Sequence, residues 1–266
     1  MPLAVCATPI GNLDDVTARV LDELRAADTI LCEDTRHTSV LTRCYGIRTP
    51  LVSYHEHNEA ARVAELLPRL RAGERIALVS DAGLPGVSDP GARLVRAALE
   101  AGVPVTVLPG PSAVETALVA SGLAADRYQF LGFLPRGEKA LRELWAELAA
   151  WPWPAVAFES PQRLPATLRS LAEAQPAREV TVCRELTKRF EEVVRGTASE
   201  LAERFREPPK GEITLVLGAG RPVRDEAGAL EAVGELVAAG VPRRQAAELV
   251  ARLTGASRNA LYRESL

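Results

Sequence analysis

Four short apolar runs, Leu3–Ala7, Thr29–Cys32, Arg75–Val79 and Val103–Leu108, punctuate roughly the first hundred residues, and each leads into a loop or an amphipathic stretch. Runs of that length are buried strands, and their alternation with helix-period segments predicts a parallel sheet with crossover helices. Helix starts are marked as well. Asp89 before Pro90 reads as an N-cap ahead of a first-turn proline, and Ser112 with Glu115 three residues on reads as a capping box opening Ala113–Ala120.

The pattern breaks around Ser121–Arg127, and a second set of elements follows. Strands are expected at Gln129–Phe133, Ala155–Phe158, Glu179–Arg184, Glu191–Arg195 and Glu212–Leu217, with helices over Glu138–Ala149 and from Ser160-Pro161. The runs at 179–184 and 191–195 are too close for a helical crossover, so they predict an antiparallel pair and a mixed sheet. Gly218–Glu226 reads as a linker to three short helices, Ala227–Ala239, Arg243–Leu253 and Arg258–Glu264. The middle helix places Ala246, Leu249, Val250 and Leu253 on one stripe, and the set resembles a helix-turn-helix.

With 47% hydrophobic and 25% charged residues in 266, the chain can bury a substantial core, and its length suits two mid-sized domains with an appendage. The amino terminus lacks the basic start and apolar stretch of a signal peptide, and no uncharged run approaches a membrane span, so a cytoplasmic location is expected. Four scattered cysteines without a CxxC pair argue against a disulfide framework or zinc site. A net charge of −3 gives no global attraction to nucleic acid. A local basic face does exist, because Pro242–Arg263 carries Arg243, Arg244, Arg252, Arg258 and Arg263 against Glu248 alone.

Four loops are dense in residues that shape backbone: Thr8-Pro-Ile-Gly-Asn12, Ser80 to Gly91, Pro109-Gly-Pro-Ser-Ala113 and Lys210-Gly-Glu-Ile213. In an open parallel sheet ligands settle at the carboxyl ends of strands, where the first three of these lie. Together they predict a preformed cradle that reads a small molecule through main-chain groups. Neither a phosphate-binding GxxxxGK[ST] loop nor Gly-x-Gly-x-x-Gly occurs, which removes kinase and ordinary dinucleotide-binding readings. His55 and His57 are two apart and lack the i, i+4 spacing of paired ligands on a helix, so no metal is expected. Charge clusters at Glu33–Arg36, Glu159–Arg163 and Arg184–Lys188 sit at strand ends. They read either as ion-paired surface or as groups for a phosphate backbone and a hydroxyl needing deprotonation.

In order along the chain, Thr8–Leu13, Glu33–Thr38, Ser80–Gly91, Leu108–Ala113, Gly132–Pro135, Glu159–Arg163, Arg184–Lys188 and Lys210–Glu212 resemble the small-subunit ribosomal RNA methyltransferase I family, within the tetrapyrrole methylase superfamily. The resemblance implies a parallel-sheet α/β domain over 1–118, a mixed-sheet α/β domain over 119–220 closing a cleft, and a helical tail over 225–266. It also implies S-adenosylmethionine as cofactor, a homodimer, and 2′-O-methylation of a cytidine in the decoding region of small-subunit rRNA, free or within the 30S particle.

Carried over by position, the cofactor site would comprise Gly11, Asp81, Gly83, Leu84, Ser112, Ala113, Phe158, Leu186, Gly211, Glu212 and Ile213. Family members commonly carry Thr-Pro where this chain has Leu84-Pro85, and an apolar pair with Asn or Ser where it has Gly86-Val-Ser88. Glu33 or Glu185 is the expected proton acceptor for the ribose hydroxyl, and Arg36, Arg184, Lys188, Arg243 and Arg244 are the expected RNA contacts. Methylation of a small tetrapyrrole, or a non-catalytic role in ribosome assembly, stays open at the level of sequence.

Overall fold

The computed structural model describes residues 2–86, 89–220 and 226–265. The Val87-Ser88 pair in the second loop and residues 221–225 of the expected linker lie outside them. Two compact units form, one from residues 1–145 with 153–219 and the other from 146–152 with 220–266.

The first unit contains two five-stranded sheets. In chain order its elements begin β1 (Leu3–Cys6), α1 (Ala18–Ala26), β2 (Thr29–Cys32), α2 (Thr35–Cys44), β3 (Leu51–Ser53), α3 (Glu59–Arg71), β4 (Ile76–Leu78), α4 (Ala92–Glu100), β5 (Val105–Leu108) and α5 (Ala113–Ser121). The first sheet is wholly parallel in the order β3-β2-β4-β1-β5. Its side chains alternate by the strand period: Ala4, Cys6, Ile30, Cys32 and Ala77 join Val20 and Leu24 of α1 on one face, while Leu3, Val5, Leu31, Ile76 and Leu78 join Leu66, Leu70 and Leu94 of α3 and α4 on the other. Both faces are covered over β1, β2 and β4, which is why those strands read as unbroken apolar runs, whereas β5 at one edge leaves Val107 exposed. β3 has no run of that kind, since all three of its residues are only half-buried at the sheet's edge, and sequence reasoning passed over it.

The chain continues through β6 (Gln129–Phe133), α6 (Glu138–Ala149), β7 (Ala155–Glu159), α7 (Leu164–Ala174), β8 (Glu179–Arg184), β9 (Glu192–Thr197), α8 (Ala198–Arg204) and β10 (Ile213–Leu217). The second sheet runs β6-β7-β10-β8-β9, with β6 parallel to β7 and the other pairs antiparallel, so it is mixed as expected. Helix α5 belongs to it by packing: Val114, Ala117 and Leu118 lie against Val156, Cys183 and Val216. The chain thus leaves the first sheet through β5 and enters the second through the next helix.

Two helix starts differ from expectation. Asp89 does not cap α4; the cap is Gly91 at φ 136, where any Cβ would lie 2.9 Å from the Leu78 side chain. Helix α7 begins at Leu164, because Ser160–Arg163 forms a turn of its own with Arg163 N–H donating to Ser160 O at 3.0 Å.

In the second unit α9 (Glu226–Ala238), α10 (Arg243–Thr254) and α11 (Arg258–Glu264) surround a small core of Ala229, Val233, Ala246, Ala247, Val250 and Leu261. Gly255 caps α10 in the left-handed region. Leu253, expected on the buried stripe, is 74% exposed; Ala247 takes its place because the apolar face of so short a bundle is centred one residue earlier. Among the described residues no helix is long and apolar enough to cross a membrane.

Candidate functional site

Strands β1 and β4 are neighbours whose onward connections run to opposite sides, β1 toward β2 and β4 toward β5. This is the switch point at which open parallel sheets leave a crevice beyond their carboxyl ends. The two loops there are stitched together by main-chain bonds: Thr8 N–H donates to Gly83 O at 2.8 Å and Gly83 N–H returns to Thr8 O at 3.0 Å. Thr8 Oγ1 adds a bond to Ser80 O at 3.0 Å. Gly83 sits at φ 78, a conformation that side chains disfavour, and Gly110 brings the third loop so close to β1 that a Cβ would lie 2.9 Å from that of Ala7.

Opposite these loops stands a wall from the second sheet. Phe158 on β7 meets Phe130 and Phe133 edge-on, with ring centroids 5.1 and 5.5 Å apart. The turn after β8 is folded against both walls. Glu185 accepts from Glu212 N–H at 2.9 Å and from Lys188 Nζ at 3.0 Å, while Thr187 Oγ1 accepts from Asn12 N–H at 3.0 Å. Glu185 and Thr187, at φ 53 and 64, are the only non-glycine residues with positive φ among those described. Such strain is held only where surrounding bonds over-determine it.

Between the walls lies a cavity of about 730 Å³, inside the range of roughly 300–1,000 Å³ typical of small-molecule sites. Asp81, Gly83, Leu84, Ser112, Ala113, Phe158, Leu186, Gly211, Glu212 and Ile213 all line it. Gly11 does not; Ile10 does, and Gly11 instead lets the Leu186–Lys188 turn approach, since a Cβ there would lie 2.7 Å from Thr187 Oγ1. Leu84 lines the cavity while packing against the first sheet's core, so it fills space where a hydroxyl would be half-buried. Ser112 precedes α5 but makes no capping bond to it. Its hydroxyl bonds the Glu115 carboxylate, which also accepts from Tyr128 at 2.6 Å, so the expected capping box is a side-chain network on the cavity wall.

Charge at the site is uneven. Burial, then the neighbouring Asp81 charge, pushes the Glu33 carboxyl up. Asp89, read in the sequence as a helix cap, lines the cavity and is raised to about 6 by burial and by Glu33 and Asp81. Glu185 moves the other way, held down by the Glu212 N–H and by Lys188.

The expected phosphate contacts are mostly engaged within the chain. Arg36 pairs with Asp34 at 2.8 Å, holding that carboxyl at about 2. Arg184 pairs with Glu192 at 3.0 Å, and Lys188 with both Glu185 and Glu212. Arg243 bonds Ser265 Oγ at 3.0 Å and the Tyr262 carbonyl, and lies over the Tyr262 ring, whereas Arg244 is exposed. Glu159 is buried and satisfied by Arg163, Thr167 and Ser160 N–H, which makes its cluster structural. Among the described residues no group of His, Cys, Asp and Glu side chains could hold a metal ion.

A parallel α/β half, a mixed half and an apolar cavity edged by stitched glycine loops define a tetrapyrrole methylase. The family of tetrapyrrole (corrin/porphyrin) methylases matches residues 2–202, and the family described as the RsmI C-terminal HTH domain matches residues 224–266. A uroporphyrin-III C-methyltransferase from Thermus thermophilus, crystallised with S-adenosylhomocysteine, shares the fold at TM-score 0.57 and 21% identity, covering 81% of this chain and 96% of that one. Proteins named ribosomal RNA small subunit methyltransferase I are much nearer: that of Mesorhizobium japonicum is 44% identical over 99% of this chain and 91% of its own length. That of Synechocystis sp. is 44% identical over 99% and 97%. The chain therefore belongs to the ribosomal RNA small subunit methyltransferase I family, and is a methyltransferase.

Proposed function

We propose that this protein methylates small-subunit ribosomal RNA, and that the acceptor is the 2′-hydroxyl of a cytidine in the decoding region. The observation that carries the reading is the apolar, glycine-edged cavity in a chain whose near-full-length relatives are named for that RNA. In this reading residues 1–118 and 119–220 are the two domains that form the cavity's walls, 225–266 is a helical RNA-binding tail, the working species is a cytoplasmic homodimer, and the substrate is the RNA or the 30S particle.

The residues fit the donor. Three phenylalanines, Ile10 and Leu186 offer a dry surface for a purine and an alkyl chain, and the uncapped first turn of α5 offers main-chain donors at Ala113 and Val114. When bound, S-adenosylmethionine supplies a methyl group on a sulfonium that already carries its leaving group. The protein's share is to align the ribose oxygen, exclude water and take the hydroxyl proton. Glu33 is the better acceptor of the two expected, because burial and the Asp81 charge have raised its affinity for a proton; it does not itself line the cavity, but its charge couples to Asp89, which does. Glu185 is already committed to two donors and orients the turn instead.

The test is transfer of tritiated methyl from S-adenosylmethionine to small subunits from cells lacking this gene, to their deproteinised RNA and to a tetrapyrrole precursor. Label in RNA at one alkali-resistant cytidine linkage is expected. Label on the base, or on the tetrapyrrole alone, sinks the proposal. Sedimentation of the purified protein as a monomer would remove the dimer.

A further inference from the structure

The turn that follows β8 does more than close the cavity. Its tip is the tight turn Lys188–Glu191, closed by Glu191 N–H donating to Lys188 O at 3.1 Å, and the two residues it projects are Arg189 and Phe190. Phe190 is 64% exposed at a place where turn chemistry favours small polar residues. The Arg189 guanidinium lies 5.5 Å from the centre of its ring.

An isolated exposed aromatic needs no explanation, but this one is held in place. The same turn contains the two strained residues Glu185 and Thr187, and its base is tied to Asn12 on one wall and Glu212 on the other. Glu191 turns its carboxylate inward to accept Thr187 N–H at 2.5 Å. Rigid support therefore reaches to within one residue of the ring.

Charge separates Arg189 from its neighbours. Arg184 and Lys188 are neutralised by Glu192, Glu185 and Glu212, whereas Arg189 makes no ion pair among the described residues. Phe190 does not line the donor cavity, although Leu186, four residues before it, does. A flat apolar face beside an unneutralised guanidinium, rigidly mounted at the rim of a methyl-transfer cavity, matches what an unstacked nucleobase and its phosphate require.

We propose that Phe190 and Arg189 form a stacking platform for an unpaired base of the RNA, next to the nucleotide that is methylated. The inference rests on the RNA reading above and names how that substrate is gripped. Phe190 acts through stacking and Arg189 through a phosphate or the exposed face of the base; neither touches the transferred methyl.

The experiment compares wild type with Phe190→Ala, Phe190→Leu, Phe190→Trp and Arg189→Ala in methylation of small subunits purified from cells lacking this gene, with S-adenosylmethionine affinity measured by calorimetry. Phe190→Ala should raise KM for the subunits about tenfold at unchanged kcat and donor affinity, Phe190→Trp should restore it, and Phe190→Leu should not. Arg189→Ala should lower the slope of log KM against log salt by about one. An unchanged KM in Phe190→Ala overturns the platform while wild-type activity leaves the RNA reading standing. So does rescue by leucine, which would mean simple apolar packing, or a parallel fall in donor affinity, which would mean the turn is only structural. A wild-type protein that methylates no RNA defeats both readings.

Discussion

The two walls of the cavity are built by opposite means. On the first, three loops beyond β1, β4 and β5 are joined by main-chain bonds and spaced by glycines, so Thr8 and Gly83 exchange both of theirs and Gly110 rests on Ala7. On the second, the surface consists of side chains: the Phe130–Phe158–Phe133 cluster and a strained turn clamped by Glu185, Lys188 and Glu212. Backbone stitching gives a fixed shape with little dependence on side-chain chemistry. Ion-paired side chains give a wall whose geometry depends on each partner.

The largest expected effect tests where the working carboxylate lies. Glu33→Gln, in the loop after β2 and electrostatically coupled to Asp81 and Asp89 of the cavity wall, should lower kcat by about 10²-fold or more with donor affinity retained. Glu185→Gln should act mainly on thermal stability and donor affinity, because its carboxylate holds the second wall together. Equal kcat losses with unchanged stability would break the distinction.

Next in size is a pair of glycine substitutions. Gly83→Ala meets only the conformational cost of positive φ, about 1 kcal/mol, since the nearest atom to its new Cβ is 3.7 Å away. Gly211→Ala, at φ 99, adds a Cβ 2.6 Å from Glu185 Cδ and should displace that clamp, weakening donor binding by about 30-fold. Calorimetric titration of both variants with S-adenosylmethionine checks the order.

The smallest effect concerns pH. Asp89 has a folded-state affinity for protons raised to about 6, so it favours the folded protein when neutral and opposes it once pH rises through that value. Asp89→Asn should therefore be more stable than wild type at pH 7–8, by about 1 kcal/mol after solvent screening. The advantage should shrink as pH falls from 6 toward 4. Denaturant melts across that window decide it, and a constant difference would show that the carboxyl is not buried against Glu33 and Asp81.

Legibility followed the same division. The loops of the first wall were readable because Gly and Pro at strand ends carry their conformational meaning locally; the individual residues came from the family resemblance, and of these Gly11 does not line the cavity but admits the opposite turn. Loop composition marked Lys210–Ile213 of the second wall; Phe158 and Leu186 came from the family resemblance, and periodicity alone pointed to neither. Asp89 was misread, since Asp before Pro has the same local signature whether it caps a helix or lines a pocket. Phe190 left no signal beyond an aromatic in a charged run.

By itself the sequence determined the strand runs, the antiparallel pairing of β8 with β9, the glycine loops and the helical tail, because each depends on residues close along the chain. Tertiary structure alone decided that α5 packs on the second sheet, that Lys188 is held by Glu212, and that Glu33, Asp81 and Asp89 share one corner. Burial and charge coupling are properties of residues brought together from distant parts of the chain, and no local pattern encodes them.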